Sequence, residues 1–211
     1  PLYRFGSSVL GYDCRSGQEM PFVDGVDTAS WPVVVKDPKV YGFHATLKAP
    51  IHLSEGITES DLVQAVSDFA EQHPAVPEAP LALRALGSFI ALVPAGDADG
   101  INNLAGNCVR AFDGFRTPLT AEDRTRRLAS PLTARQIEHL DRWGYPYVFE
   151  EFRFHMTLTS ALPAPDRDRV LHFLCEQYEQ VPEAHTLRLD RIVIARQERK
   201  SSPFVVIHEA L

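Results

Sequence analysis

The chain has 211 residues, 45% of them hydrophobic, 23% charged and 9% aromatic, which is enough to bury a core without disulfide or metal staples and is not the composition of a disordered chain. Its net charge of −7 argues against a long nucleic acid as partner, because that binding sets many cations against phosphates. No apolar run approaches the roughly 18 residues of a membrane span, so no membrane association is expected.

The opening stretch, PLYRFGSSVLGYDC, has neither a basic start nor a long apolar centre, so no signal peptide is expected. The missing initiator Met leaves room for a leading segment. Cys14, Cys108 and Cys175 are widely spaced. They make neither a zinc pattern nor an even disulfide set, and they fit a reducing cytoplasm.

Residues 40–53, VYGFHATLKAPIHL, read as a strand stopped near Pro50. A helix follows, entered through Thr58 and Asp61, with Leu62, Val66 and Phe69 at helical spacing and Pro74 as its stop. LALRALGSFIALVPAG reads as two strands meeting near Gly87. Ile101, Leu104, Cys108 and Phe112 stripe a second helix, and residues 116–132 read as a loop or irregular connector. Thr133 with Gln136 opens a short helix that Gly144 and Pro146 end.

VFEEFRFHMTLTSALP reads as a strand stopped at Pro163. A helix with Val170, Leu174, Tyr178 and Val181 on one face comes next. HTLRLDRIVIARQ and SPFVVIHEAL then read as strands joined by the turn ERKS. The order strand, helix, strand, strand thus occurs twice, each time opened by Phe-His-x-Thr-Leu. This predicts an internal duplication of an α+β unit in a single bilobal domain of residues 1–211. The first-motif half spans 1–96, a crossover insert 97–146 and the second-motif half 147–211.

On a strand, His44 and Thr46 share one face with Lys48, while Phe43, Ala45 and Leu47 share the other. The same rule groups His155 and Thr157 with Arg153 and Thr159. A lone His-x-Thr on a strand is ordinarily a packing feature; a pair inside a paired element order argues for chemistry. Two imidazoles can supply the base and the acid of an in-line displacement at phosphorus near neutral pH. Thr hydroxyls and cations can stabilise charge growing on the non-bridging oxygens. The remaining histidines, His52, His73, His139, His172, His185 and His208, lack ligand spacing. Arg124, Arg126 and Arg127 sit beside Glu122 and Asp123 and read as a solvated surface, or as a lid that reaches a phosphate.

FHATL and FHMTL, in the two halves of a chain this size, resemble the paired His-x-Thr signatures of the 2H phosphoesterase superfamily. YRFGSSVLG, YGFHATLKAP and GYPYVFEEFRFHMTL resemble, more narrowly, a branch of it encoded in phosphonate-utilisation operons. The resemblance implies a bilobal α+β fold, with two antiparallel sheets lining a central groove and helices outside. It also implies metal-independent chemistry at 2′,3′-cyclic or 2′-5′ phosphodiesters, without a cofactor. Carried over by position, His44 and His155 become the catalytic pair and Thr46 and Thr157 the phosphate ligands. Tyr41, Lys48 and Arg153 are expected to bind substrate.

The leading expectation is a cytoplasmic, monomeric phosphodiesterase acting on a small cyclic sugar or nucleotide phosphate. An RNA-end 2′-5′ or 2′,3′-cyclic phosphodiesterase or ligase is the first alternative. A non-catalytic nucleotide or sugar-phosphate binding protein is the second.

Overall fold

The computed structural model describes residues 1–73 and 75–211; Pro74, the expected helix stop, lies outside the described residues. In chain order the first elements are α1 Leu2–Leu10, β1 Tyr12–Asp13, β2 Gln18–Glu19, α2 Trp31–Val34, α3 Lys36–Lys39 and α4 Glu59–Gln72. There follow β3 Ala79–Leu86, β4 Phe89–Pro94, α5 Asp99–Ala111, α6 Ala121–Leu128 and α7 Ala134–Trp143. The chain ends with β5 Met156–Thr157, α8 Ala164–Glu179, β6 Thr186–Leu187, β7 Ile192–Arg196 and β8 Val205–Ala210. The class is α+β, as expected, and every sheet pairing is antiparallel.

Local chemistry explains the helices that the sequence announces. Thr58 and Asp61 exchange hydrogen bonds as a capping box at α4, and Thr133 and Gln136 do the same at α7. Such a cap is worth about 1 kcal/mol. Gly144 closes α7 in the left-handed region at φ 75, where glycine pays no Cβ penalty. β3 and β4 form the expected hairpin, paired from Leu81↔Pro94 to Leu86↔Phe89.

The chain divides into two compact units. The first comprises Pro1–Ala45, Pro77–Asp97 and His155–Leu211, and the second Thr46–Val76 and Ala98–Phe154. Among the described residues all named strands lie in the first unit, in a four-stranded sheet of order β5-β4-β3-β6 and two two-stranded ribbons, β1-β2 and β7-β8. Ile90, Leu92, Leu158 and Leu174 form its fully buried centre, each contributing about 1.5–3 kcal/mol. The second unit is helical: α4 and α5 bury Val66, Phe69, Ile101, Leu104 and Cys108, with Phe69 and Phe112 rings 5.1 Å apart.

Four expectations need correction. Residues 40–53 are not a strand: Gly42 turns at φ 72, and among the described residues the stretch joins no ladder beyond a single bridge from Leu53 to Arg116. The strand expected over residues 147–162 is hydrogen-bonded as one only at Met156–Thr157, preceded by a 3-10 turn over Phe149–Glu151. Residues 116–132 are not all loop, because the Thr120 side chain accepts from the Asp123 N–H and starts α6. The strand read in HTLRLDRIVIARQ breaks into β6 and β7, which join different sheets.

Nor do the sheets divide by halves of the chain. β3 and β6, the strands placed as equivalents by the duplication, pair with each other through Ala79↔Leu187. β5 of the second half pairs with β4 of the first. A strand edge is completed by whatever backbone lies beside it, and here that neighbour comes from the other half.

Candidate functional site

His44 is placed by the two residues before it. The Phe43 side chain, 4% exposed, packs onto Gly6 of α1 so closely that a Cβ at Gly6 would stand 2.1 Å from the ring. Gly42 sits against Cys14 in a left-handed turn, where a Cβ would meet the Cys14 Cβ at 2.5 Å. That turn aims its carbonyl at the imidazole, with Nδ1 of His44 2.9 Å from the Gly42 oxygen. A carbonyl only accepts, so Nδ1 carries the proton and Nε2 keeps its lone pair.

The ring of Tyr41 stacks on the His44 imidazole, with centroids 5.9 Å apart and planes 24° apart. Tyr41 also stacks on Phe204 at 5.2 Å. Phe204 is itself pinned: its N–H donates to the Val40 carbonyl, and its carbonyl accepts from the Tyr12 hydroxyl, both at 2.8 Å.

His155 enters from the sheet. Met156 and Thr157 pair with Leu92 and Ala91 of β4, and the Leu158 N–H donates to the Ile90 carbonyl at 2.9 Å. Phe154, Met156 and Leu158 are buried while His155 and Thr157 are half-buried, so the expected alternation of faces holds across these five residues. It fails at Thr159, which is 1% exposed and accepts from the Ile90 N–H. The His155 imidazole is tilted against Phe89 at 5.9 Å.

The two histidines lie in the same unit and feel each other. Burial lowers the pKa of His44, the Gly42 carbonyl opposes the shift, and the charge of His155 lowers it further. His44 is therefore biased towards the neutral imidazole, with its tautomer fixed.

Tyr41, His44, His155 and Thr157 thus belong to the first unit, and Thr46, Lys48 and Arg153 to the second. The Lys48 ammonium donates to the Val109 carbonyl at 3.2 Å and lies 3.7 Å from Asp113. Arg153 is exposed and donates to the carbonyls of Glu150 and Phe152. In the basic cluster Arg124 pairs with Asp141 and Arg126 with Asp123, while Arg127 lies over the Tyr145 ring. Among the described residues no group of three or more His, Cys, Asp and Glu is placed to hold a metal ion, and no helix is long and apolar enough to cross a membrane.

Gly42 and Phe204 escaped the reading of the sequence. The one available signal was an asymmetry between the motifs, since Gly42 stands two residues before His44 where Arg153 stands before His155.

Two bacterial proteins are similar to the chain. One, from Janthinobacterium sp. (strain Marseille), is named ribose 1,5-bisphosphate phosphokinase PhnN and is 39% identical over 210 residues, covering 97% of this chain but 46% of the relative. The other, of the same name and from Laribacter hongkongensis (strain HLHK9), is 34% identical over 165 residues, covering 78% of this chain and 38% of the relative. The chain therefore spans less than half the length of either. No solved structure matches it. Residues 46–205 match the family described as "Protein of unknown function (DUF1045)", and the chain belongs to that family.

Proposed function

We propose that this member of the DUF1045 family is an enzyme that opens a small cyclic phosphodiester, with His44 as general base and His155 as general acid, in the manner of the 2H phosphoesterases. The observation that carries the reading is the environment of His44. His44 has its Nδ1 proton committed to the Gly42 carbonyl and its charged form disfavoured by burial and by His155. A base must be neutral, and that is the state this environment favours.

The step follows from these assignments. Water attacks phosphorus and its proton passes to Nε2 of His44. The bond from phosphorus to one ring oxygen breaks, and that oxygen takes a proton from the His155 imidazolium. One water is consumed and a phosphate monoester forms. On the motif alone, the hydroxyls of Thr46 and Thr157 donate to the non-bridging oxygens, with Arg153 as a further cation.

The relatives' name points to the substrate class. Opening a 1,2-cyclic phosphate on a ribose that carries a 5-phosphate yields ribose 1,5-bisphosphate, the compound in that name. The resemblance to a branch encoded in phosphonate-utilisation operons points the same way. Kinase chemistry is assigned to the part of those relatives that this chain does not match, because the sequence holds no Gly-Lys-Ser/Thr phosphate loop. The acidic balance, −7, disfavours an RNA-end substrate.

The test is ³¹P NMR in the presence of EDTA, with ribose 1,2-cyclic phosphate 5-phosphate and nucleoside 2′,3′-cyclic phosphates offered to wild type, His44→Ala and His155→Ala. Wild type is expected to open the sugar phosphate, and each variant to lose about 10²–10⁴ in rate. Equal turnover by wild type and both variants, or none of any substrate, would end the proposal.

A further inference from the structure

We infer that the second unit carries an oxyanion site of its own, a cavity of about 90 Å³ walled by Lys48, His52, Arg116, Thr117, Trp143 and Tyr145, which takes the phosphate of a sugar monophosphate. This site does not depend on the chemistry assigned to His44 and His155.

Charge is the first argument. The Lys48 and Arg116 side chains, 13% and 14% exposed, share one carboxylate, Asp113, at 3.7 and 2.6 Å. Asp123, an acid on the wall, is already paired with Arg126. An acidic protein thus keeps a local excess of positive charge, mostly out of solvent, beside an open space.

Donor capacity is the second. Arg116 gives three of its five N–H groups to its surroundings, Nε to Asp113, Nη1 to the Thr117 carbonyl at 3.3 Å and Nη2 to the Arg142 carbonyl at 2.7 Å. It is a fixed cation. Lys48 has three N–H groups, and the described residues give it one hydrogen bond, to Val109, besides the longer pairing with Asp113. An ammonium largely withdrawn from water and short of acceptors is costly, and an oxyanion in the cavity would supply them. Desolvation depresses the Lys48 pKa, Asp113 opposes the shift and Arg116 adds to it, so a bound anion would also relieve that penalty.

The wall is set before any ligand arrives. Leu53 bridges to Arg116, the Thr117 N–H donates to the His52 carbonyl at 2.8 Å, and the Ser54 N–H donates to the Phe115 carbonyl at 3.0 Å. This fixes the backbone that carries the Thr117 hydroxyl. The rings of Trp143 and Tyr145 offer the apolar side that a sugar needs, and the volume matches about three waters or one tetrahedral oxyanion.

The experiment is a ¹⁵N-HSQC titration of the whole chain with ribose 5-phosphate and, separately, inorganic phosphate. The amides of Lys48, Thr117, Gly144 and Tyr145 are followed in wild type, Lys48→Met and Thr117→Val. Saturable shifts are expected at these amides, with Kd weakened about tenfold in Lys48→Met and about threefold in Thr117→Val. Tighter binding of ribose 5-phosphate marks a sugar-phosphate site, and equal binding marks a site for free phosphate within the same chemistry. If Lys48→Met does not fold, Thr117→Val decides. No saturable shift in wild type, or unchanged Kd in the folded variants, means that the cavity holds only water and overturns the inference. The His44→Ala, His155→Ala double variant should keep the shifts, so failure of the phosphodiesterase proposal and failure of this one are read separately.

Discussion

The ring of Tyr41 lies nearly parallel to the imidazole of His44, 5.9 Å away and 24° off, and stacks in turn on Phe204. With Nδ1 tied to the Gly42 carbonyl, this stack restrains rotation of the imidazole about its Cβ–Cγ bond. Tyr41 acts on the proposed base as a positioning residue through its ring.

Tyr41→Phe should therefore keep the activity, whereas Tyr41→Ala should lower kcat about tenfold with little change in KM. Tyr41 is 45% exposed, so either variant should change stability by no more than about 1 kcal/mol. Steady-state kinetics beside thermal denaturation separates the two effects. A Phe variant as poor as the Ala variant would move the role from the ring to the hydroxyl.

The environment of His44 sets a pH dependence. Its folded pKa lies below the ordinary 6.5, chiefly through burial. As pH falls through 6.5 the unfolded chain takes up this proton first, so stability declines from there until the folded value is passed. Urea denaturation over that acid window should show a shallower decline in His44→Gln than in wild type. In activity, the acid limb of kcat/KM should sit below 6.5, since the proposed base stays neutral to lower pH. An acid limb above 6.5 would contradict the assignment of His44 as base.

Gly42→Ala tests the turn that holds the imidazole. Its φ of 72 and the 2.5 Å approach to the Cys14 Cβ should together cost about 2 kcal/mol or more. Gly87→Ala is the control, because its φ is 60 but a Cβ there meets nothing within 4 Å. It should cost about 1 kcal/mol. Chemical denaturation of both variants gives the comparison, and equal losses would show that Cys14 yields to the new Cβ.

Much of the fold was legible because its signals are local. Capping boxes at Thr58 and Thr133, the apolar stripe of α5 and the turn at Gly87 each act within a few residues. α6 escaped because it buries none of its own side chains. With no apolar stripe, only the Thr120–Asp123 cap marked it. Residues 40–53 were misread for the opposite reason. Their aromatic and apolar content suits a strand, but a strand exists only where a neighbour takes up its backbone hydrogen bonds, and here a glycine turn packs on Cys14 instead.

The sequence by itself determined the α+β class, four of the long helices, the β3–β4 hairpin and the two His-x-Thr motifs, since helical periodicity, turn chemistry and a repeated motif are written in neighbouring residues. Only the tertiary structure decided that strands of both halves share one sheet, and that the His44 imidazole is held between the Gly42 carbonyl and the Tyr41 ring. The physical reason is that a ladder partner, a carbonyl aimed at Nδ1 and a stacked ring are supplied by residues the chain brings together from afar, and the burial that disfavours the His44 charge exists only once they have met.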